Sequence, residues 1–451
     1  MSESVRCSVG IDLGSTTTKA VILDSEGHII GRGITNSRSN YDLAAAVARE
    51  EARISARFGL LRKEVERSAG RDVLDQLLKA FRLSQTLAQL ARLHALIDDE
   101  IDRAVASALR RPAHDAVTLI VSRIEDEEQA WFDAPDERAG DRSDFFRDAA
   151  GSAYMRFAEE IGDPIGASFD LLAGLYDKCI IRVENEPLEL GFRDHIGSAL
   201  ERIGSPAAVR DGIERAVSVT IDEVCTVGTG YGRARLPFPK EQIRSEILCH
   251  GLGAHAMFPA TRTVLDIGGQ DTKAIQVDAQ GIVTSFQMND RCAAGCGRYL
   301  GYIADEMNIG VHELGPLAEK SSRRIKINST CTVFAGAELR ERLSLGERRE
   351  DILAGLHRAI ILRAMSLLAR SGGVEEQFTF TGGVARNPAA VRALRQLVRE
   401  NYGERTLNIS PDSIYTGALG AALFAHRDVT ARAAAAPAEP GQQAGEAEVQ
   451  R

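Results

Sequence analysis

Aromatic residues, positive charge and long apolar runs are all scarce in this chain of 451 residues. Aromatics make up 5% of the sequence and Trp occurs once, which argues against broad stacking surfaces for bases or sugars. The 55 basic residues are outnumbered by 64 acidic ones, a net charge of −9, so neither nucleic acid nor an anionic membrane is an expected partner. No segment approaches the ~20 apolar residues that span a bilayer, and the chain opens without a hydrophobic signal core. We therefore expect a cytoplasmic protein.

Cysteine is the residue type that these exclusions leave unexplained. The sequence has seven cysteines, an odd number, and a reducing compartment disfavours a disulfide framework. Thiol, metal or cluster chemistry remains as the role for at least some of them.

The texture of the sequence changes several times along the chain. Residues 1–41 and 206–425 combine β-rich runs, Gly-rich turns and helical stretches, which predicts an α/β fold with largely buried sheets. Residues 42–205 are charged and show helical periodicity, with Pro112 expected to end the second helical run. This stretch is either a decoration that packs on the main body or a docking surface for a partner subunit. Residues 429–451 contain few large apolar side chains and are expected to be a disordered tail.

The first chemical motif is a Gly-rich turn between two strands. It runs from Asp12 through Gly14, Ser15, Thr16 and Thr17 to Lys19. Gly lets the backbone approach a ligand closely, and successive N–H and hydroxyl groups cradle phosphate oxygens. Asp12 is suited to hold Mg²⁺ through water, because Mg²⁺ keeps several waters and takes only one or two carboxylates. Taken alone, such a turn could equally be an ordinary hairpin.

A second turn repeats this pattern in the other half of the chain. It runs from Asp266 through Gly268, Gly269, Gln270, Asp271 and Thr272 to Lys273. Two turns of matching design indicate two related halves that face one phosphate chain. A third turn, Gly382-Gly383, joins a strand to a helix and would sit well against an adenosine.

These three motifs, in this order, resemble the phosphate-1, phosphate-2 and adenosine motifs of the actin, heat-shock 70 and sugar kinase superfamily. They match neither a Walker P-loop nor a Rossmann fingerprint. The resemblance implies an α/β protein with a duplicated actin-like (ribonuclease H-like) ATPase fold, in which two domains close on ATP by a hinge motion. It implies that ATP is bound by Gly14, Ser15, Thr16, Thr17, Lys19, Gly268, Gly269, Thr272, Gly382 and Gly383.

The same resemblance gives the segments of the chain their places in the fold. Residues 1–41 and 206–259 would form the N-terminal actin-like subdomain. Residues 42–205 would be a helical insertion into it, and 260–428 would be the C-terminal subdomain, which carries the cysteine segments described next. The tail at 429–451 would follow.

Two of the cysteines lie in polar, Gly/Ala-rich segments that lead into predicted helices. Cys292 is followed by Ala-Ala-Gly, and Cys331 is preceded by Ser-Thr. A free cysteine is usually a small buried hydrophobe. These flanks, however, leave room for a bulky ligand, and helix N-termini stabilise thiolates and anionic clusters.

With these cysteines the sequence is similar to the ATP-dependent electron activators of the 2-hydroxyacyl-CoA dehydratase and benzoyl-CoA reductase family, over residues 5–41 and about 210–425. The resemblance implies a [4Fe–4S] cluster shared at a dimer interface, with Cys292 and Cys331 as the two ligands from this chain. Such a cluster takes four thiolates, so a partner chain is implied. Cys296 departs from the family pattern and could be a spare thiol, an alternative ligand or inert; we favour a non-ligand. The other four, Cys7, Cys179, Cys225 and Cys249, show no paired spacing and are expected to be structural.

The helical insertion resembles the larger of the two ATPase subunits of benzoyl-CoA reductase. That likeness implies a second, shorter ATPase subunit that shares the cluster, two subunits that reduce the substrate, and ferredoxin as electron donor. ATP with Mg²⁺ at Asp12 and Asp266 would close the two domains and bias the position of the cluster. Gln270 or Asp271 would orient the attacking water, unless both serve only to bind phosphate.

Three functions therefore stand as hypotheses. The one we expect is an ATPase subunit that couples ATP hydrolysis to low-potential electron transfer from ferredoxin, for reductive dearomatisation of benzoyl-CoA. The second is a homodimeric activator of a 2-hydroxyacyl-CoA dehydratase, against which the insertion counts. The third is a non-redox member, such as a carbohydrate kinase or a regulatory ATP-binding module.

Overall fold

A computed structural model describes most of the chain. The described residues are 4–37, 40–68, 71–134, 145–185, 192–204, 207–230, 236–289, 292, 295–307, 309–323, 325–327 and 331–435. Within them the protein forms two β-sheets and the helices that cover their faces.

The first sheet is built around a long, buried first strand. Its strands are β1 (Ser4–Leu13), β2 (Thr17–Asp24), β3 (Ile29–Asn36) and β4 (Thr220–Gly230), in the order β3-β2-β1-β4. β1 pairs antiparallel with β2 and parallel with β4. Because both faces of β1 are covered, its second half, from Cys7 to Leu13, is buried without the alternation of a half-exposed strand.

The second sheet repeats the pairing pattern of the first. Its strands are β5 (Thr263–Ile267), β6 (Thr272–Val277), β7 (Val283–Asn289), β8 (Gln377–Thr381) and β9 (Thr406–Asn408), in the order β7-β6-β5-β8-β9. β5 pairs antiparallel with β6 and parallel with β8, as β1 does with β2 and β4. This repetition is the duplication that the two matching turns predicted.

A run of helices separates β3 from β4. They are α1 (Tyr41–Ser68), α2 (Arg71–Ala104), α3 (Ser107–Asp133), α4 (Phe146–Ile165), α5 (Phe169–Asn185), α6 (Phe192–Ile203) and α7 (Ala207–Ser218). α1 covers the first sheet directly: a Cβ at Gly31 or Gly33 would lie within 2.2 Å of a carbonyl oxygen of α1. α2 to α5 enclose a core of their own, which includes Ile97, Ile120 and Tyr154.

The prediction that Pro112 ends the second helical run is wrong. α2 ends at Ala104, and α3 begins at Ser107 with Pro112 inside it. The break falls at the link 105–106, where the Arg110 side chain donates to the Val105 carbonyl. Pro112 is the sixth residue of α3 and removes one helical hydrogen-bond donor, but the buried face that includes Ala113, Ala116 and Val117 stabilises the helix around it.

The remaining helices follow β4 in the chain, and most of them cover the second sheet. They are α8 (Glu246–Met257), α9 (Gly297–Met307), α10 (Val311–Glu319), α11 (Thr332–Ser344), α12 (Arg349–Ser371), α13 (Pro388–Tyr402) and α14 (Thr416–Ala435). Within the described residues, α12 alone is long and apolar enough to cross a membrane. It lies in the core of the second half of the chain, where Leu353, Ile360 and Leu368 are buried.

The last helix corrects two expected boundaries. The expected C-terminal subdomain includes most of α14, but this helix packs on the first sheet, where Ala418 and Ala422 join Val21 and Leu23 in one cluster. The expected tail begins at residue 429, whereas α14 continues to Ala435. Its small apolar residues supply the buried face that a disordered segment lacks. Residues 436–451 lie outside the described part of the chain.

Candidate functional site

The two Gly-rich turns join hairpins with the same register. Asp12 is the cross-strand partner of Lys19 in the β1–β2 hairpin, and Asp266 is the partner of Lys273 in the β5–β6 hairpin. Cross-strand partners point to the same face of a sheet. Each hairpin therefore presents one carboxylate and one amine side by side at the mouth of its turn.

The two turns face each other closely. A Cβ at Gly269 in the second turn would lie 2.1 Å from Thr16 Oγ1 and 3.8 Å from Ser15 Oγ in the first. Glycine is required at 269 because any side chain would push the turns apart. The hydroxyls of the first turn and the backbone of the second are thus in direct contact, which brings two groups of potential phosphate ligands side by side.

The third turn, Gly382-Gly383, lies next to the end of β5, where the second turn begins. The Thr381 hydroxyl, at the end of β8, donates to Asp266 Oδ1 at 2.8 Å. Gly382 follows with φ 85°, and a Cβ there would lie 2.3 Å from the Ile267 carbonyl oxygen. Only glycine adopts this conformation at such a close approach without strain. The structure thus brings all three sequence motifs together.

Lys273 lies at the centre of a buried cluster of carboxylates. Its Nζ is 2.8 Å from Asp271 Oδ1, 3.0 Å from Glu246 Oε1 and 3.3 Å from Asp266 Oδ2. Burial alone would lower the pKa of Lys273, but the three carboxylates together raise it. Burial likewise opposes the ionisation of Asp266, yet the nearby His250, then Lys273, hold its pKa at about 2. Both groups are therefore charged in the folded protein at neutral pH.

Two members of this cluster were not among the predicted site residues. Glu246 begins α8, and His250 follows one turn later with its Nε2 3.5 Å from Asp266 Oδ2. Burial raises the pKa of Glu246, and the attraction of Lys273 only partly offsets this rise. None of the sequence motifs indicated a role for either residue.

Asp12 and His250 each have one buried polar atom that is unpartnered among the described residues. Within the described part of the chain, Asp12 Oδ1 and His250 Nδ1 have no hydrogen-bond partner. Buried polar atoms are normally paired, so each such atom requires an explanation. The carboxylates around these atoms do not form a group of three or more that could hold a metal ion directly in the described part of the chain. Mg²⁺ held through water would need only one or two carboxylates, and Asp12 fits that requirement.

The second turn also contacts a cysteine segment. The backbone N–H groups of Gly297 and Arg298, at the start of α9, donate to the carbonyls of Gly268 and Gly269, both at 2.8 Å. The Thr272 hydroxyl donates to the Gly295 carbonyl at 2.5 Å. Thr272 was predicted to bind phosphate, but in this structure its buried hydroxyl is engaged with the loop between Cys292 and α9.

The predicted ligand cysteines differ in exposure from the rest. Cys292 is exposed, and Cys331 is half-buried at the N-cap of α11. The other five are buried, and burial raises the pKa of Cys296 and, to about 12, that of Cys7 and Cys249. Metal ligation needs a thiolate, so Cys292 and Cys331, which are not buried, suit a cluster better than the buried five. No group of three or more His, Cys, Asp or Glu in the described residues could hold a metal ion.

The helices that follow Cys292 and Cys331 pack against each other. A Cβ at Gly336 of α11 would lie 2.3 Å from the Tyr302 hydroxyl of α9. Glu306 of α9 and Arg340 of α11 form an ion pair across the same contact. Cys292 and Cys331 therefore precede two helices that are in direct contact.

The remaining predicted residues lie at the turns and differ in burial and in hydrogen bonding. Lys19 is half-buried and donates to the Thr17 carbonyl at 3.2 Å. Gln270 is half-buried, whereas Asp271 is buried and pairs with Lys273, which leaves it less free to orient water. Gly14 lies beside the Thr17 carbonyl, and Gly383 has open space where a side chain would project.

The duplicated sheets and the three converging turns define an actin-like ATPase. The chain belongs to the BadF/BadG/BcrA/BcrD ATPase family, which it matches over residues 9–425. It is 39% identical over 250 residues to the (R)-2-hydroxyglutaryl-CoA dehydratase activating ATPase of Acidaminococcus fermentans, which covers 55% of this chain and 93% of that protein. It is 32% identical over 204 residues to one of the subunits of benzoyl-CoA reductase from Thauera aromatica, 45% of this chain and 71% of that one.

A solved structure supports the fold independently of these sequences. The activator of 2-hydroxyisocaproyl-CoA dehydratase from Clostridium difficile, with bound ADPNP, superposes with a TM-score of 0.51. The identity is 23%, and the match covers 96% of this chain and 100% of that one. The prediction of a duplicated actin-like ATPase fold is confirmed, and so is the wider family that the cysteine motifs indicated.

Proposed function

We propose that this protein is a cytoplasmic ATPase that activates a 2-hydroxyacyl-CoA dehydratase by delivering low-potential electrons to it. The observation that carries the proposal is the pair of hydrogen bonds from Gly297 and Arg298 to the phosphate-2 turn. They link the nucleotide motif to the helix that follows Cys292. The similarity to a dehydratase-activating ATPase is also stronger than that to the T. aromatica reductase chain. This order reverses the preference that the sequence motifs alone suggested.

In this proposal the facing turns hold ATP, with the phosphates alongside the contact of Thr16 and Gly269 and the adenosine against Gly382. Asp12 binds Mg²⁺ through water with its unpartnered oxygen. Mg²⁺ supplies neutralisation of the phosphate charge as it develops during hydrolysis. Because Asp271 is committed to Lys273, Gln270 orients the attacking water.

Cys292 and Cys331 provide half of the ligands of a [4Fe–4S] cluster, and a partner chain provides the other half. The cluster supplies one-electron transfer at low potential, with ferredoxin as the donor. Both cysteines are accessible and precede a helix, whose N-terminus favours anions. Cys296 is buried, and its raised pKa disfavours the thiolate, so it does not serve as a ligand.

The hydrogen bonds between the second turn and α9 provide the coupling. A change in the phosphates alters the second turn, and Gly268 and Gly269 carry that change to the start of α9. α9 follows Cys292, so the Cys292 segment responds to this change. Nucleotide can shift this equilibrium only by binding the two arrangements with different affinity.

A second candidate is the larger ATPase subunit of benzoyl-CoA reductase. The helices between Tyr41 and Ser218 favour it, because the A. fermentans relative is 93% covered by 250 aligned residues and has no room for a similar insertion. In that case the partners are a shorter ATPase subunit that shares the cluster, two substrate-reducing subunits and ferredoxin. α2 to α5, with their separate core, would then lie where a larger complex could contact them.

Cysteine variants in anaerobically purified protein test the redox proposal. Cys292→Ser and Cys331→Ser are expected to abolish the iron–sulfur absorbance while ATP binding survives, because the nucleotide turns are untouched. Cys296→Ser is the matched control and is expected to keep the cluster. Full absorbance in both ligand variants would refute the ligand assignment. A colourless, iron-free wild-type protein that binds ATP would instead favour the non-redox hypothesis.

Reconstitution separates the two redox candidates. The reduced protein with ATP is mixed either with a 2-hydroxyacyl-CoA dehydratase or with the substrate-reducing subunits of a benzoyl-CoA reductase. Dehydration without any second ATPase chain supports the proposal. Dependence on a shorter ATPase subunit, with benzoyl-CoA reduction, would establish the second candidate.

A further inference from the structure

A buried histidine connects the adenosine motif to the core of the second half. His357 on α12 is 1% exposed, and its Nδ1 lies 2.7 Å from the Leu353 carbonyl oxygen. A carbonyl only accepts, so Nδ1 carries the proton and the neutral ring presents a lone pair at Nε2. That nitrogen accepts from the Asn387 side-chain amide at 3.0 Å. The histidine thereby fixes which way the Asn387 amide points.

Asn387 ends the short segment that joins the adenosine turn, Gly382-Gly383, to α13. Its Oδ1 accepts from the Ala390 backbone at 3.1 Å and so caps α13. The cap is also enclosed by α10, because a Cβ at Gly315 would lie 2.8 Å from Asn387 Oδ1. With its donor and its acceptor both engaged, the Asn387 side chain joins the turn to α12 and α13 at once.

The same helix holds the segment that leads to Cys331. Six residues before His357, Asp351 Oδ1 accepts from the Ser321 hydroxyl and from the backbone N–H groups of Ser322 and Arg323, at 2.8–3.0 Å. One turn later, a Cβ at Gly355 would lie 2.6 Å from the Ile325 carbonyl oxygen. We call residues 321–323 and 325–327 the strap. It is fastened to α12 at two points and ends four residues before Cys331.

α12 therefore touches the adenosine turn at one point and the strap at two others. An α-helix of two turns is stiff, so a displacement at His357 reaches Gly355 and Asp351 as a movement of one body. This connection is separate from the hydrogen bonds between the second phosphate turn and α9, which end at Cys292.

Resting on the proposed function, we propose that His357 is a positioning residue that transmits nucleoside occupancy through α12 and the strap to Cys331. The phosphates act on the Cys292 segment through α9, and the nucleoside acts on the Cys331 segment through α12. The two thiols consequently have distinct responses to the parts of one nucleotide.

Alkylation of the two thiols in cluster-free protein tests this division. The rate at each cysteine is followed by peptide mass spectrometry, with and without Mg·ADP, whose binding is measured separately by calorimetry. In the wild type, Mg·ADP is expected to change both rates, each by about fivefold or more. His357→Phe keeps a buried ring but removes the acceptor, and is expected to abolish the response at Cys331 while that at Cys292 persists.

Two further variants separate coupling from packing. Asp351→Asn weakens the strap at the far side of α12 and is expected to give the same loss at Cys331 with ADP affinity unchanged. Asn387→Ser keeps a side-chain oxygen that can cap α13 but removes the amide that donates to His357, and is expected to match His357→Phe.

The outcomes also distinguish this inference from the proposed function. If Mg·ADP fails to bind the wild type, the proposed function fails. If it binds and the Cys331 response survives in Asp351→Asn and Asn387→Ser, the route through α12 is refuted and the proposed function stands. Loss of both responses together in these variants would likewise refute separate routes.

Discussion

The two Gly-rich hairpins share their strand pairing but differ in what their charged side chains contact. In the second hairpin, Lys273 is buried among three carboxylates, and Asp266 has a partner for each oxygen. In the first, Lys19 is half-buried against a backbone carbonyl, and Asp12 Oδ1 has no partner in the described part of the chain. The charged groups of the second turn are paired within the protein. In the first turn, Asp12 keeps an unpartnered oxygen that a ligand can use.

The helices that cover the hairpins account for this difference. α8 lies over the second sheet and presents Glu246 and His250 to it. α14 lies over the first and presents small residues: a Cβ at Gly10 would lie 2.1 Å from the Ala418 carbonyl oxygen, and one at Gly417 would lie 2.6 Å from Asp12 Oδ2. A duplicated backbone has thus acquired different chemistry from its two neighbouring helices.

Removing the two lysines gives the largest contrast. Lys273→Met leaves three buried carboxylates without their cation and is expected to lower the free energy of unfolding by about 3 kcal/mol or more. Lys19→Met loses one bond to a carbonyl and is expected to cost about 1 kcal/mol or less, while weakening ATP binding. Urea denaturation and calorimetry of both variants check this. Equal losses of stability in Lys273→Met and Lys19→Met would contradict the difference between the two hairpins.

The dependence of the free energy of unfolding on acidic pH tests the pairing of the Asp266 carboxylate. Because the pKa of Asp266 is about 2 in the folded protein against 3.8 ordinarily, the unfolded chain takes up its proton first. The stability from this group is present above pH 3.8 and is lost as the pH falls toward 2, an effect of about 2 kcal/mol. In metal-free protein, Asp266→Asn is expected to flatten this part of the acid limb. An unchanged slope would contradict the assignment.

The contact between the turns predicts a smaller effect on binding. Gly269→Ala places a methyl group against Thr16 and is expected to weaken Mg·ATP binding by about tenfold, or about 1.4 kcal/mol. Gly197→Ala on α6 is the control, because its side chain would also meet open space but lies outside the nucleotide turns. Calorimetry measures both. If the two variants bind equally, the turns do not close on the phosphates as proposed.

The sequence could predict the hairpins because Asp, Gly and Lys recur at the same spacing, and that spacing determines the register. It could not distinguish Lys19 from Lys273, since their burial depends on α8 and α14, which are remote in the sequence. Glu246 was missed for the same reason. Thr272 follows the pattern of a phosphate ligand, but the loop at Gly295 engages its hydroxyl. The half of the protein that α14 joins was predicted wrongly, because an apolar helix does not indicate which sheet it covers.

The Mg²⁺ dependence of ADP binding tests the central claim, that Asp12 is the open carboxylate of the pair. ADP binding is measured by calorimetry with and without Mg²⁺, in the wild type and in Asp12→Asn, with urea denaturation alongside. We expect Mg²⁺ to tighten binding in the wild type and to have no effect in Asp12→Asn, whose metal-free stability is equal to or above that of the wild type. A full Mg²⁺ response in Asp12→Asn would contradict the account.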